Sequence, residues 1–241
     1  MHHPFPLPPV VFFDAVGTLI HPDPPAPVVY AAVGRCLGSR LDEATIATRF
    51  RTAFRRQEEA DYAGNLRTDE TREIARWRVI VREVLDDVSD AEACFQGLYA
   101  HFAHPDAWRC EPETAEVLSA LAARGLLLGI ASNFDHRLRG LVEDMPALRP
   151  VKHLVISSEI GWRKPAREFF RAMCRVVDSP PEEILYVGDD PVNDYEGART
   201  AGMRSLLLVP LGRSLSTDVA WATSLRELLG KPTRTETSGP F

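Results

Sequence analysis

The stretch Val10-Val11-Phe12-Phe13-Asp14-Ala15-Val16-Gly17-Thr18-Leu19 decides how the rest of the chain is read. Its first four residues are apolar, two of them β-branched, as in a short buried strand. An acid, a glycine and a threonine follow, where the chain must leave a sheet. An ionisable side chain at the carboxyl end of a buried parallel strand lies where open α/β sheets bind their ligands. An aspartate that merely caps a turn gives the same pattern. The decapeptide alone leaves both readings open.

Outward from this strand the chain changes character twice. Residues 21–27 are rich in proline and polar side chains, as in a linker. From there to about residue 102 strand signals vanish. Trp77, Ile80, Val81, Val84 and Leu85 keep the spacing of an amphipathic helix. Helices are also expected over 28–37, 44–60 and 91–102, with Asp42 and Asp69 as N-terminal caps. Strands and helices then alternate. Helices are expected over 113–124, 166–177, 194–201 and 219–229, and strands over 126–131, 153–157, 184–187 and 203–209. Such alternation predicts right-handed βαβ units and a parallel sheet covered on both faces. The fold expected is α/β, a doubly wound parallel sheet with an inserted α-helical cap. Residues 1–20 and 106–230 form the core, 21–105 the cap, and 231–241 a disordered tail.

Composition bounds the function. The 241 residues are 45% hydrophobic and 26% charged, ordinary for a globular chain with a sizeable core. A net charge of −6 offers no general attraction to nucleic acid or acidic membranes. No apolar run is long enough to span a bilayer. The first nine residues hold four prolines and lack the charge and apolar run of a signal peptide. Cys36, Cys94, Cys110 and Cys174 show no C-x-x-C spacing, so free thiols in a reducing cytoplasm are expected. His101 and His104 have no third ligand at recognisable spacing and read as a solvated helix end.

Three later stretches bear on Asp14. Leu126-Leu127-Leu128-Gly129-Ile130-Ala131 ends in Ser132-Asn133; Gly161-Trp162-Arg163-Lys164-Pro165 sets a cation before a helix; Ile184-Leu185-Tyr186-Val187 ends in Gly188-Asp189-Asp190-Pro191-Val192-Asn193-Asp194. In this order, the four pieces resemble the haloacid dehalogenase-like hydrolase superfamily, from about Val10 to about Val209. The resemblance implies Asp14 as a nucleophile that forms an ester intermediate. It implies Thr18, Ser132 and Asn133 as hydrogen-bond donors to substrate, and Lys164 as the positive charge serving nucleophile and phosphoryl group. Mg²⁺ would be held by Asp14, the Val16 carbonyl oxygen and Asp189. Asp194 would orient Lys164 or a metal-bound water from behind, with Asp190 beside it or turned away.

One position departs from the phosphatases of that superfamily, which carry a second aspartate two residues after the nucleophile. Here it is Val16, which can neither protonate a leaving alcohol nor deprotonate water. General acid–base catalysis is typically worth about 10²–10⁴-fold. The 2-haloacid dehalogenases dispense with that acid, and Asn133 and eleven cap arginines are compatible with them; Asp189 suits a metal instead. Phosphonoacetaldehyde hydrolases need a cap lysine, and residues 22–105 contain none. His21 and Asp23 stand in the linker as candidate substitute acids or simply as solvated residues. The reading is a cytoplasmic, Mg²⁺-binding hydrolase acting on a small phosphorylated metabolite with a good leaving group, as monomer or homodimer. Halide displacement without metal, or a metabolite-binding protein with little or no turnover, are the alternatives.

Overall fold

The protein is described by a computed structural model over residues 7–212 and 218–230. In chain order the strands are β1 (Val10–Phe13), β2 (Ile20–Pro22), β3 (Trp108–Cys110), β4 (Leu127–Ser132), β5 (His153–Ile156), β6 (Ile184–Gly188), β7 (Arg204–Leu208) and β8 (Trp221–Ala222). The α-helices are α1 (Ala26–Cys36), α2 (Glu43–Ala63), α3 (Glu70–Val84), α4 (Ala91–His101), α5 (Thr114–Ala123), α6 (Arg137–Asp144), α7 (Ser157–Ile160), α8 (Arg167–Val177) and α9 (Gly197–Thr200).

β1 is central in a parallel sheet of order β5-β4-β1-β6-β7-β8. Alternation divides its side chains between two layers. Val11 and Phe13 join Val117, Leu118 and Leu121 of α5 and Leu138 and Leu141 of α6. Val10 and Phe12 join Phe169, Phe170 and Met173 of α8 on the opposite face. Both faces are covered, which is why β1 reads as an unbroken apolar run. Each such side chain stabilises the fold by about 1.5–3 kcal/mol on burial. The register sets Phe13 opposite Ile130 and Val187, so Asp14, Ser132 and Asp189 emerge together at one edge.

Helices α1 to α4 follow one another and bury their own cluster, including Val29, Ile46, Ile80, Phe95 and Leu98. The Asp42 and Asp69 carboxylates accept from Thr45 N and Arg72 N at 2.7 and 2.8 Å, capping α2 and α3 as expected. The expected linker begins as structure: β2 pairs antiparallel with β3, so both connections between helices and sheet run side by side.

Two expected helices are corrected. Residues 194–201 do not form one regular α-helix: a π-helical turn, Pro191–Glu196, precedes the short α9. Asp190 starts the turn by accepting from Val192 N and Asn193 N, and its carbonyl takes both Asp194 N and Tyr195 N. Residues 219–229 are not a helix either; Trp221–Ala222 is the edge strand and Leu225–Leu229 a 3₁₀ turn. The open edge of β7 outbids local propensity there, because Leu207 N and Val209 N donate to the Ala220 and Ala222 carbonyls. The expected disordered tail, 231–241, lies outside the described residues.

The helical layer is docked to the sheet by a buried charge network. Arg163, just before Lys164, pairs with Glu73 and lies 3.3 Å from Asp61. Asp61 also holds Arg76 at 3.1 Å, and Thr68 donates to Glu73 at 2.6 Å. Arg67 stacks on Trp162 at 3.9 Å, and Arg163 N donates to Leu66 O at 2.9 Å. Removing one member of a buried ion pair is costly because the other is left uncompensated. Asp61→Ala should therefore destabilise the protein by about 3–5 kcal/mol, read as a lowered urea midpoint. An unchanged midpoint would show that the network contributes nothing net.

Candidate active site

Asp14 N donates to Val187 O at 2.8 Å, carrying the β1–β6 ladder one step past the strand. The chain then folds back sharply: Gly17 N donates to Ile20 O, and Leu19 N and Ile20 N share Ala15 O. Gly17 sits at φ +93°, and a Cβ on it would fall 2.4 Å from Asp189 Oδ2. A Cβ on Gly188 would fall 2.2 Å from Asp194 Oδ2. Two absent side chains thus make a cradle in which carboxylate oxygens of Asp14, Asp189 and Asp194 lie within 4.8 Å of one another.

Lys164 answers this concentration of negative charge. Its Nζ, fully enclosed, donates to Asp14 Oδ1 at 2.7 Å, Asp194 Oδ1 at 2.6 Å and the Tyr186 hydroxyl at 2.8 Å. Those three acceptors match the three protons of an ammonium. Tyr186 in turn donates to Ala131 O at 2.6 Å. Asn133 fixes the lysine backbone from both sides, accepting from Lys164 N at 2.7 Å and donating to Lys164 O at 3.1 Å. The π-turn brings Asp194 inward, and its second oxygen accepts from Asp190 N at 3.0 Å.

These contacts shape the protonation states. Burial works against the Lys164 charge, but Asp14 and Asp194 outweigh it and hold the ammonium above its ordinary pKa. Burial also pushes the Asp194 carboxyl upward, against the pull of Lys164. Asp189 still meets solvent on one side, yet lost hydration and repulsion by Asp14 and Asp194 raise it to about 7. Thr18 donates to its Oδ1 at 3.2 Å. One ammonium among three carboxylates leaves room for a hard cation with oxygen ligands.

Ser132 is buried at the last position of β4. The Asp190 carboxylate caps the π-turn and faces the Asn193 amide at 3.0 Å, so only its backbone reaches toward the cluster. His21 pairs with Glu111 at 2.6 Å, across the β2–β3 ribbon. Asp23 is exposed. Val16 stands between the Asp14 loop and a cavity beneath the cap helices, where Asn133 also contributes to the wall.

Residues 8–202 match the sequence family described as haloacid dehalogenase-like hydrolase. The chain belongs to that family. It is 30% identical over 202 residues to human haloacid dehalogenase-like hydrolase domain-containing protein 3, covering 82% of this chain and 80% of that one. It is also 30% identical over 131 residues to a phosphoserine phosphatase of Thermus thermophilus, covering 53% and 52% of the two. Among solved structures, YfnB of Bacillus subtilis, bound to magnesium, superposes with a TM-score of 0.75 at 18% identity, covering 93% and 98%. As in other haloacid dehalogenase-like hydrolases, a sheet flanked by helices carries a helical cap.

Tyr186 and the Arg163 network escape the motif reading of the sequence. A tyrosine inside an otherwise apolar strand was the available signal, since a buried hydroxyl requires a partner. Arg163, Asp61 and Glu73 gave no local signal, because they meet only after distant helices pack.

The Asp189 shift fixes the sign of a pH effect. A carboxyl held at about 7 when folded, against an ordinary 3.8, favours the folded state only while it stays protonated there. Its contribution is full below the unfolded value and is lost as pH rises through about 7. In chelated protein, the thermal midpoint of the wild type measured against that of Asp189→Asn should fall from pH 4 toward pH 8, and a divalent cation should restore more at pH 8 than at pH 5.5. Parallel profiles for the two proteins would contradict this.

Proposed function

We propose that this hydrolase is a Mg²⁺-dependent phosphohydrolase that works through an aspartyl phosphate on Asp14. The observation that carries this reading is the Lys164 ammonium bridging Asp14 and Asp194 while Asp189 completes a carboxylate triplet. Magnesium fits these donors, which are hard oxygens short of positive charge; Asp14, Asp189 and the Val16 carbonyl would hold it. When bound, it would supply charge neutralisation for a phosphoryl group.

The chemistry of the chain's own residues follows. An Asp14 oxygen attacks phosphorus, the bond to the leaving oxygen breaks, and that oxygen departs with the electron pair. Lys164 offsets charge on Asp14 and on the transferring group, while Thr18, Ser132 and Asn133 border the phosphoryl position. Water then attacks phosphorus, its proton passes to solvent, and phosphate and the Asp14 carboxylate are released. Val16 provides no proton for the first departure and no base for the second step. The favoured substrates are therefore small phosphorylated metabolites whose leaving groups are stable as anions, such as acyl or phenolic phosphates.

The magnesium-bound YfnB and the phosphatase relative support this reading. Metal-free halide displacement is disfavoured by the carboxylate triplet, which has one buried cation against three acids. The charged wall residue of the cavity, Arg137, is already gripped by both oxygens of Asp135, at 2.8 and 2.7 Å. It is not a free anchor for a haloacid carboxylate.

Turnover of p-nitrophenyl phosphate should require Mg²⁺ and disappear in Asp14→Asn. Val16→Asp should raise hydrolysis of alkyl phosphates by about 10²–10⁴-fold and of the nitrophenyl ester far less. Loss of the base should also produce a burst of nitrophenolate before slow steady turnover, visible in stopped flow. Halide release from 2-chloropropionate, unaffected by chelator, would overturn the proposal; so would phosphate and Mg²⁺ binding without turnover on any ester or anhydride.

A further inference from the structure

The cavity beside Val16 has a volume of about 310 Å³, within the range of small-molecule sites. Its wall is largely aromatic. Ring centroids run in sequence from Phe134 on the core through Trp108 on the β2–β3 ribbon (5.9 Å) to Phe102 (5.9 Å), Tyr30 (6.4 Å), Phe50 (5.3 Å) and Phe54 (6.1 Å) in the cap. Arg137 brings the charged group to this wall, but Asp135 neutralises it, and its guanidinium carbon lies over the Tyr99 ring, 3.7 Å from the centroid. A ligand with its own charge inside the cavity would have to break that pair. An aromatic group needs no such exchange, because faces and edges for offset or T-shaped contact already surround the space.

Val16 joins this observation to the chemistry. It lies two residues after Asp14, where an acid would serve, and is itself part of the apolar wall. A carboxylate there would be desolvated against the aromatic group entering the cavity. The same substitution that removes the acid completes the wall, so the group lodged here should leave unaided. A phenol, with an ordinary pKa near that of tyrosine at about 10, does so far more readily than an aliphatic alcohol.

We propose that the substrate is an aryl phosphate monoester, its phosphoryl group at Asp14 and Lys164 and its aromatic leaving group in the cavity against Val16. This rests on the phosphohydrolase reading. Attack by Asp14 breaks the phosphorus–aryloxide bond, and the aryloxide takes its proton from solvent after departure.

The test compares methylphosphonate, octylphosphonate and 2-naphthylphosphonate as inhibitors of Mg²⁺-dependent p-nitrophenyl phosphate turnover, with tryptophan fluorescence as a direct binding readout through Trp77 and Trp108 in the wall. The naphthyl compound should bind at least about tenfold tighter than the octyl compound and tighter still than the methyl one. It should also quench tryptophan emission. Ala26→Trp, which adds an indole from the partly exposed start of α1, should compress these differences. Should that variant not fold, the wild-type series decides alone. Equal inhibition by all three would overturn the cavity assignment while leaving the phosphohydrolase reading intact; octyl matching naphthyl would overturn the aromatic class. No turnover of the nitrophenyl ester in wild type would overturn both.

Discussion

Three carboxylates cannot share a few ångströms unless something balances their repulsion, and in this protein the buried Lys164 ammonium does so. Its three protons go to Asp14, Asp194 and Tyr186, so charge and hydrogen bonding are satisfied together. The rest of the site can be understood as what holds that ammonium still. Asn133 clips its backbone, Tyr186 hangs from Ala131, and the π-turn delivers Asp194. Desolvating such a group alone would neutralise it; desolvating it among acids keeps it charged.

The sheet makes this balance possible. Strand ends from β1, β4 and β6 arrive at one level because their registers are set by side chains buried on both faces. The order β5-β4-β1-β6 puts Asp14 between the strand that supplies Ser132 and the strand that supplies Asp189. Two glycines then remove the bulk that would keep the acids apart. Core packing and the electrostatics of the acid cluster are therefore one construction.

Much of this was legible in the chain. The apolar runs, their polar terminators and the long helical interval between the first two core strands identified a doubly wound sheet with an inserted cap. The elements that escaped were those decided by tertiary contacts. Trp221–Ala222 became a strand because β7 presented an open edge, and residues 191–196 widened into a π-turn around Asp190. At the site, Asp14 and Asp189 stood out as acids at strand ends, and Lys164 and Asp194 through the resemblance that their stretches carry. The second role of Asn133, as a clip on the lysine backbone, did not, since periodicity says nothing about contacts across 31 residues. Nor did the aromatic cavity, whose rings are scattered from Tyr30 to Phe134 and meet only in the folded chain.

Arg163 and Lys164 are adjacent, and that adjacency ties two events together. The first residue helps to fasten the cap to the core, through Asp61 and Glu73; the second is the counter-ion of Asp14. Consecutive Cα atoms sit about 3.8 Å apart on a stiff peptide unit. The same short segment that fastens the helical layer therefore also aims the ammonium. Docking of the helical layer and the charge balance of the acid cluster are thus written on neighbouring links of the chain.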